Sequence, residues 1–225
     1  MRCWICSGEA NSGEHLIKAS DLKALFGKVT HKKPLYFHNS VVRNQPVAGI
    51  KSDKLKYAKA ICARCNNART QPHDRAWERL SQHLRSRQYH TGTQIRLERV
   101  FPGKVRQSML DVHLFFVKLF GCLIAEHSIP LDIHVFSESI LHGVPHPKVR
   151  LAFWTCPGRP STKQAGRTPV HTSMLDGNIT FATWFYIVDN ISVNVIYAEP
   201  TERRKGLAHS WHPSTIGKRM RIGCQ

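Results

Sequence analysis

The strongest constraint on this chain is a pair of Cys-x-x-Cys steps, Cys3/Cys6 and Cys62/Cys65, which lie far apart in sequence but carry one kind of ligand. Each two-residue turn lets both sulfurs of a pair reach about 2.3 Å from one ion, so four thiolates in two knuckles suit tetrahedral zinc. A thioredoxin-like redox pair is the other use of the motif, and it needs a strand-then-helix setting that surrounds neither pair. Cys3, Cys6, Cys62 and Cys65 are therefore expected to hold one structural Zn2+, and everything between the knuckles must fold back on itself. The remaining cysteines, Cys122, Cys156 and Cys224, are scattered without pairing logic, as reduced thiols are in a reducing compartment. With no apolar run of eighteen residues and no apolar leader before the first knuckle, the expectation is a cytoplasmic protein with no membrane partner.

Charge narrows the partner. Lys and Arg number 33 against 15 acids, a formal charge of +18. Residues 1–90 carry 17 basic and 6 acidic side chains and the rest 16 and 9, so both halves are cationic. Such a surface collects polyanions rather than acidic small molecules, and a nucleic acid is the expected partner.

Along the chain, Gly8 and Gly13 punctuate a turn that leads into a short strand at Glu14 to Ile17. Ser20 reads as the N-cap of a helix over Asp21 to Phe26 that Gly27 stops. Lys28 to Lys59 reads as a β-rich, cation-bearing insertion. Pro72 opens a helix from His73 to Arg87, with Trp77, Leu80 and Leu84 on one face. A strand from Thr93 to Val100 and Pro102-Gly103 mark a boundary, dividing the chain into 1–90 and 91–225. Gln107 to His127 is a long apolar-periodic stretch, interrupted by Gly121, and predicts a buried helix. Ile133 to Phe136, Val149 to Thr155, Ile179 to Val188 and Ile191 to Tyr197 predict strands, the last two joined by a turn at Asp189-Asn190. The basic tail, Glu202 to Gln225, predicts partial disorder. The fold class is α+β: a zinc-supported unit, then one helix on an antiparallel sheet that would serve a second copy of the chain or a protein partner.

Inside the zinc bracket stand Glu14-His15, Cys62-Ala63-Arg64-Cys65-Asn66 and, at the head of the expected helix, Asp74. This order resembles the HNH (ββα-metal) endonucleases, in the branch whose motif reads C-W-x-C, E-H, C-x-x-C-N and a final D. The resemblance covers residues 1 to about 90. It implies a ββα-metal unit and metal-dependent hydrolysis of DNA, in which water must lose a proton and a divalent ion neutralises charge on the scissile phosphate. By the same resemblance His15 is the general base, and Glu14 and Asp74 are hard oxygen ligands for Mg2+ or Mn2+. Asn66 would orient the loop or the base, or Asn67 if the register slips by one. His73 is the alternative ligand, because HNH motifs more often end in histidine. Lys18, Arg64, Arg69, Arg75 and Arg79 would hold the nucleic acid. Two other readings stay open. One is a non-catalytic zinc-containing nucleic-acid-binding module, suggested by Lys18 where the branch has proline and by the long segment from Gly27 to Tyr57. The other is an RNA-directed nuclease, since the phosphate chemistry is shared.

Overall fold

A computed structural model describes residues 1–58, 60–87, 89–155, 163–215 and 219–223. Cys156, Cys224 and Lys218, all noted in the sequence, lie outside the described residues. The first knuckle closes through the Ser7 N–H to the Cys3 carbonyl at 2.8 Å and the Cys3 N–H to the Gly8 carbonyl at 2.7 Å, with Ser7 in the left-handed region at φ 59°. Glu14-His15 is not part of a continuous strand: it pairs through a single bridge, His15 with Lys56. Helix α1 (Ala19–Phe26) starts one residue before the expected N-cap and has no side-chain cap. Gly27 ends it at φ 70°, returning its N–H to the Lys23 carbonyl. The insertion supplies only a small antiparallel ladder, β1 (Leu35–Phe37) with β2 (Gln45–Val47).

A π-helical turn over Arg64–Arg69 leads into α2 (Gln71–Arg85), with Pro72 in its first turn, where the missing N–H costs nothing. The expected strand from Thr93 to Val100 divides into β3 (Gln94–Arg96) and a helical turn, α3 (Leu97–Val100), which buries Leu97 and Val100 at helical spacing. Then comes α4 (Val105–His127). By length and composition α4 could cross a membrane, but 78% of its most apolar window is buried in the fold. Residues Ile133 to Phe136 are not a strand either. They open α5 (Ile133–His142), which Asp132 caps by accepting the His134 N–H at 3.0 Å and which Gly143 ends in a left-handed C-cap at φ 64°. Three apolar residues around His134 fit either period, and the caps decide the outcome.

The rest of the chain builds β4 (Val149–Thr155), β5 (Ala165–Arg167), β6 (His171–Leu175), β7 (Asn178–Val188), β8 (Ile191–Ala198) and β9 (Arg219–Gly223). Among the described residues these strands and β3 form one seven-stranded sheet in the order β3-β9-β4-β8-β7-β5, with β6 also on the edge of β7. Asp189, at φ 57°, makes the expected β7–β8 turn. The sheet is mixed rather than antiparallel, because the basic tail returns as β9 and lies parallel to β4. One face buries Trp184, Tyr186 and Val188 at period two, with Trp184 and Tyr186 against Phe120 and Phe116 of α4, and α2 and α5 also pack on α4. The boundary expected near residue 91 does not divide the core: one continuous apolar cluster runs from Cys3 through Trp77 and Phe116 to Ile222. The molecule is a mixed α+β fold in which several helices, not one, cover the sheet.

Candidate metal centre and the adjoining charged cluster

The two knuckles meet as their spacing requires. All four sulfurs, of Cys3, Cys6, Cys62 and Cys65, lie within 4.8 Å of one another, and Cys6 Sγ is 3.7 Å from Cys62 Sγ. Sulfurs about 2.3 Å from a tetrahedral ion sit roughly 3.8 Å apart, so the donor set fits a structural metal such as zinc. Cys3 and Cys65 are buried, Cys6 is exposed and Cys62 is intermediate. Burial pushes the Cys3 and Cys65 thiols up. At Cys62 the burial effect is outweighed by hydrogen bonds from the Cys65 N–H and the neighbouring thiols, which bring it down to about 7. Metal binding at this cluster must therefore release protons.

The knuckles also anchor what lies between them. The Asn66 side chain donates to Ser12 Oγ at 2.9 Å and to the Gly13 carbonyl at 3.4 Å, so it fixes the loop that leads into Glu14. Thr70 Oγ1 donates to the carbonyls of Cys65 and Asn66, closing the wide turn before α2. On the other side, the Tyr57 N–H donates to the Glu14 carbonyl at 2.7 Å. His15 Nε2 lies 3.2 Å from the Ile50 carbonyl oxygen. A carbonyl can only accept, so Nε2 carries the proton and Nδ1 is left as the basic nitrogen. Burial lowers the His15 pKa, against the raising effect of Glu14.

Glu14 and Asp74 do converge, and the point of convergence is a lysine. Lys118 Nζ, on α4, is 2.8 Å from Glu14 Oε2 and 2.9 Å from Asp74 Oδ1, and its side chain is 0% exposed. Burial by itself would strip the proton from this amine, but the two carboxylates outweigh it and hold Lys118 charged, above the ordinary lysine value. Lys18 Nζ adds a second, looser contact to Asp74 Oδ1 at 3.8 Å, and reaches Glu78 at 4.0 Å. The remaining oxygen of Glu14, Oε1, accepts the His15 backbone N–H at 3.0 Å. His73, the alternative ligand, is elsewhere: its Nδ1 is 2.9 Å from Asp111 Oδ1. Asp111 and Lys118 are two turns apart on one face of α4, about 10 Å along the axis, so adjacent residues of α2 grip two separate points.

Of the expected nucleic-acid contacts, Arg64, Arg75 and Arg79 are exposed, Arg69 is half-buried, and Lys18 is engaged by the acids just named. Arg79 lies over the Phe101 ring at 5.8 Å.

Sequence reasoning passed over Lys118 and Asp21. Lys118 had a signal, being the single charged side chain in the run from Val112 to Ala125, where an unexplained charge in a core helix asks for a buried partner. Asp21 gave none: it reads as a helix-start acid. It is fully buried and accepts from Trp77 Nε1 at 2.8 Å, Ser81 Oγ at 2.7 Å, Tyr186 OH at 2.9 Å and Arg85 Nη2 at 3.3 Å.

No family model, curated protein or solved structure matches the chain.

Proposed function

We propose that this chain is an HNH-type endonuclease that hydrolyses phosphodiester bonds of DNA, with His15 as general base. The observation that supports this most is the placement of His15: it is held by Ile50, with Nδ1 left basic, on a loop tied at one end by Asn66 and the cysteine cluster and at the other by Tyr57. On this reading the cysteine cluster, Lys56-Tyr57 and α2 make a divergent ββα-metal unit whose zinc is structural. Nδ1 of His15 would take the proton from a water attacking phosphorus, and the exposed Arg64, Arg75 and Arg79 would hold the strand by its phosphates. The resemblance also implies Mg2+ or Mn2+ between Glu14 and Asp74. Those carboxylates do not fit a divalent ion while the Lys118 ammonium holds them, so no step is assigned to one.

That occupancy favours a second reading, in which the zinc-bracketed unit binds nucleic acid without cutting it. Nicking of supercoiled plasmid by the full-length protein separates the two, with Mg2+, with Mn2+ and without added metal, and with a single-stranded RNA as a parallel substrate. Cleavage should fall about 10²- to 10⁴-fold in His15→Ala, the usual range for loss of a general base, while zinc content and DNA binding persist. Equal cleavage by wild type and His15→Ala would place the active site elsewhere. Salt-sensitive binding with no cleavage under any condition would leave the binding module as the function.

A further inference from the structure

We propose that the Lys118 ammonium is the resident cation of the Glu14–Asp74 site, standing at the point a divalent ion would otherwise take. The assignment concerns the same cluster as the proposed hydrolase, but it stands on the charged contacts alone and not on whether the protein cleaves. Glu14 Oε2 and Asp74 Oδ1 both bond Nζ, and Glu14 Oε1 is already given to the His15 N–H. Each oxygen of Glu14 therefore already accepts one bond, and an incoming ion would have to share it. Most of the negative charge is offset as well, since Glu14 and Asp74 meet Lys118 in full contact and Asp74 also meets Lys18 at 3.8 Å, a lysine shared with Glu78 at 4.0 Å.

A divalent ion could enter only by displacing Lys118. The displaced ammonium would leave its two carboxylate contacts while its side chain is 0% exposed midway along α4, with the Phe115 ring centroid 5.6 Å away. Stranding a buried charge is among the costliest changes a fold can undergo. Mg2+ in turn needs near-octahedral oxygen ligands and sheds its water reluctantly, so two half-committed carboxylates give it little in return. The free protein therefore carries a monovalent, covalently tethered cation where the sequence pattern implies an exchangeable divalent one. Residues 1–90 cannot assemble this site alone, because the cation comes from α4.

The test is Mn2+ binding to zinc-loaded full-length protein, read from the loss of the free-Mn2+ electron paramagnetic resonance signal. Wild type should retain no Mn2+ beyond the cysteine cluster at submillimolar metal. Lys118→Met, which frees both carboxylates, should retain one, at least tenfold more tightly than wild type, and should lose it again when Asp74→Ala is added. Lys118→Met should also gain more thermal stability from Mn2+ than wild type does, because a ligand bound only by the native state raises its melting temperature. Equal Mn2+ affinity in wild type and Lys118→Met would overturn the assignment. If Lys118→Met fails to hold its zinc, the wild-type arm decides alone: one tightly retained Mn2+ that Asp74→Ala abolishes overturns it, and none retained supports it.

Discussion

The phenol of Tyr186, on β7, donates to the fully buried carboxylate of Asp21, on α1, at 2.9 Å and accepts the Lys18 backbone N–H at 3.0 Å. Burial and the neighbouring Asp21 charge push the phenol well above its ordinary value, so it remains a donor. This contact joins the sheet to the cysteine-bracketed segment across 165 residues of chain. Tyr186→Phe should cost about 1–3 kcal/mol, the usual penalty for leaving a buried acceptor short of a donor. Asp21→Ala should cost more, because Trp77, Ser81 and Tyr186 all lose their acceptor at once. Denaturant titration followed by near-ultraviolet circular dichroism and by zinc release would measure both. Coincident transitions are expected, and separate ones would mean that the N-terminal unit unfolds independently.

Zinc removal should unfold the protein rather than merely silence a site, because the cysteine-bracketed segment shares its core with the rest of the fold. Structural zinc contributes roughly 10–16 kcal/mol of apparent binding energy at neutral pH in small domains. Elemental analysis should find one equivalent in untreated protein, and Cys62→Ala should abolish it together with most of the unfolding transition. Since burial keeps Cys3 and Cys65 protonated in the metal-free protein, uptake should release protons. Calorimetry in buffers of different ionisation enthalpy would detect them, and an apparent enthalpy that does not vary with buffer would refute the idea.

Gly121 is where α4 admits the first knuckle. A Cβ there would overlap the Trp4 ring at Cη2 and Cζ2, closer than side chains approach one another. Gly121→Ala should therefore destabilise by about 1–3 kcal/mol through overpacking, although alanine is the better helix former by about 1 kcal/mol. In a Trp4→Leu background the same change should become neutral or stabilising. A cycle showing no such reversal would mean that the indole is not what keeps this position small.

Acid should weaken the fold through three buried histidines at the edge of α4 and the sheet. His113 Nε2 accepts the His146 N–H at 3.1 Å, His146 Nδ1 accepts the Lys148 N–H at 3.2 Å, and His212 Nε2 lies 3.0 Å from the His146 carbonyl. Burial lowers all three, His113 far down and His146 to about 3, with help from His212 at the former and Lys148 at the latter. The unfolded chain takes up these protons near pH 6.5, so their stabilisation is complete above that value and declines as pH falls below it. His113 and His146 should each contribute a slope of about 1.4 kcal/mol per pH unit below 6.5. His113→Gln should flatten the measured slope by about that much relative to wild type, a comparison in which acid-driven zinc loss cancels. An unchanged slope would place the acid sensitivity elsewhere.

DNA affinity should fall steeply with salt, with a log–log slope near 0.9 for each phosphate neutralised. Removing the exposed Arg75 and Arg79 together should lower that slope by nearly two if both touch phosphate, and by nothing if they are only a solvated face.

What the amino-acid sequence settled by itself is whatever depends on near neighbours or on one chemical identity. Two Cys-x-x-Cys steps specify a four-sulfur cluster whatever lies between them, and the cluster is present. Alternation from Ile179 to Tyr197 around Asp189-Asn190 specifies the β7–β8 hairpin, and Pro72 with Trp77, Leu80 and Leu84 specifies α2. Those patterns follow from the chain's own two- and 3.6-residue periods. The tertiary structure decided everything that needs two distant segments at one place. Glu14 meets Lys118 across 104 residues and Asp74 meets it across 44, so a carboxylate pair that reads as a metal site is filled from a helix outside the motif. The basic tail becomes β9 only because β3 and β4 offer it edges. No local period records such meetings, since the free energy that holds a buried ammonium between two carboxylates exists only once the surrounding core has excluded water.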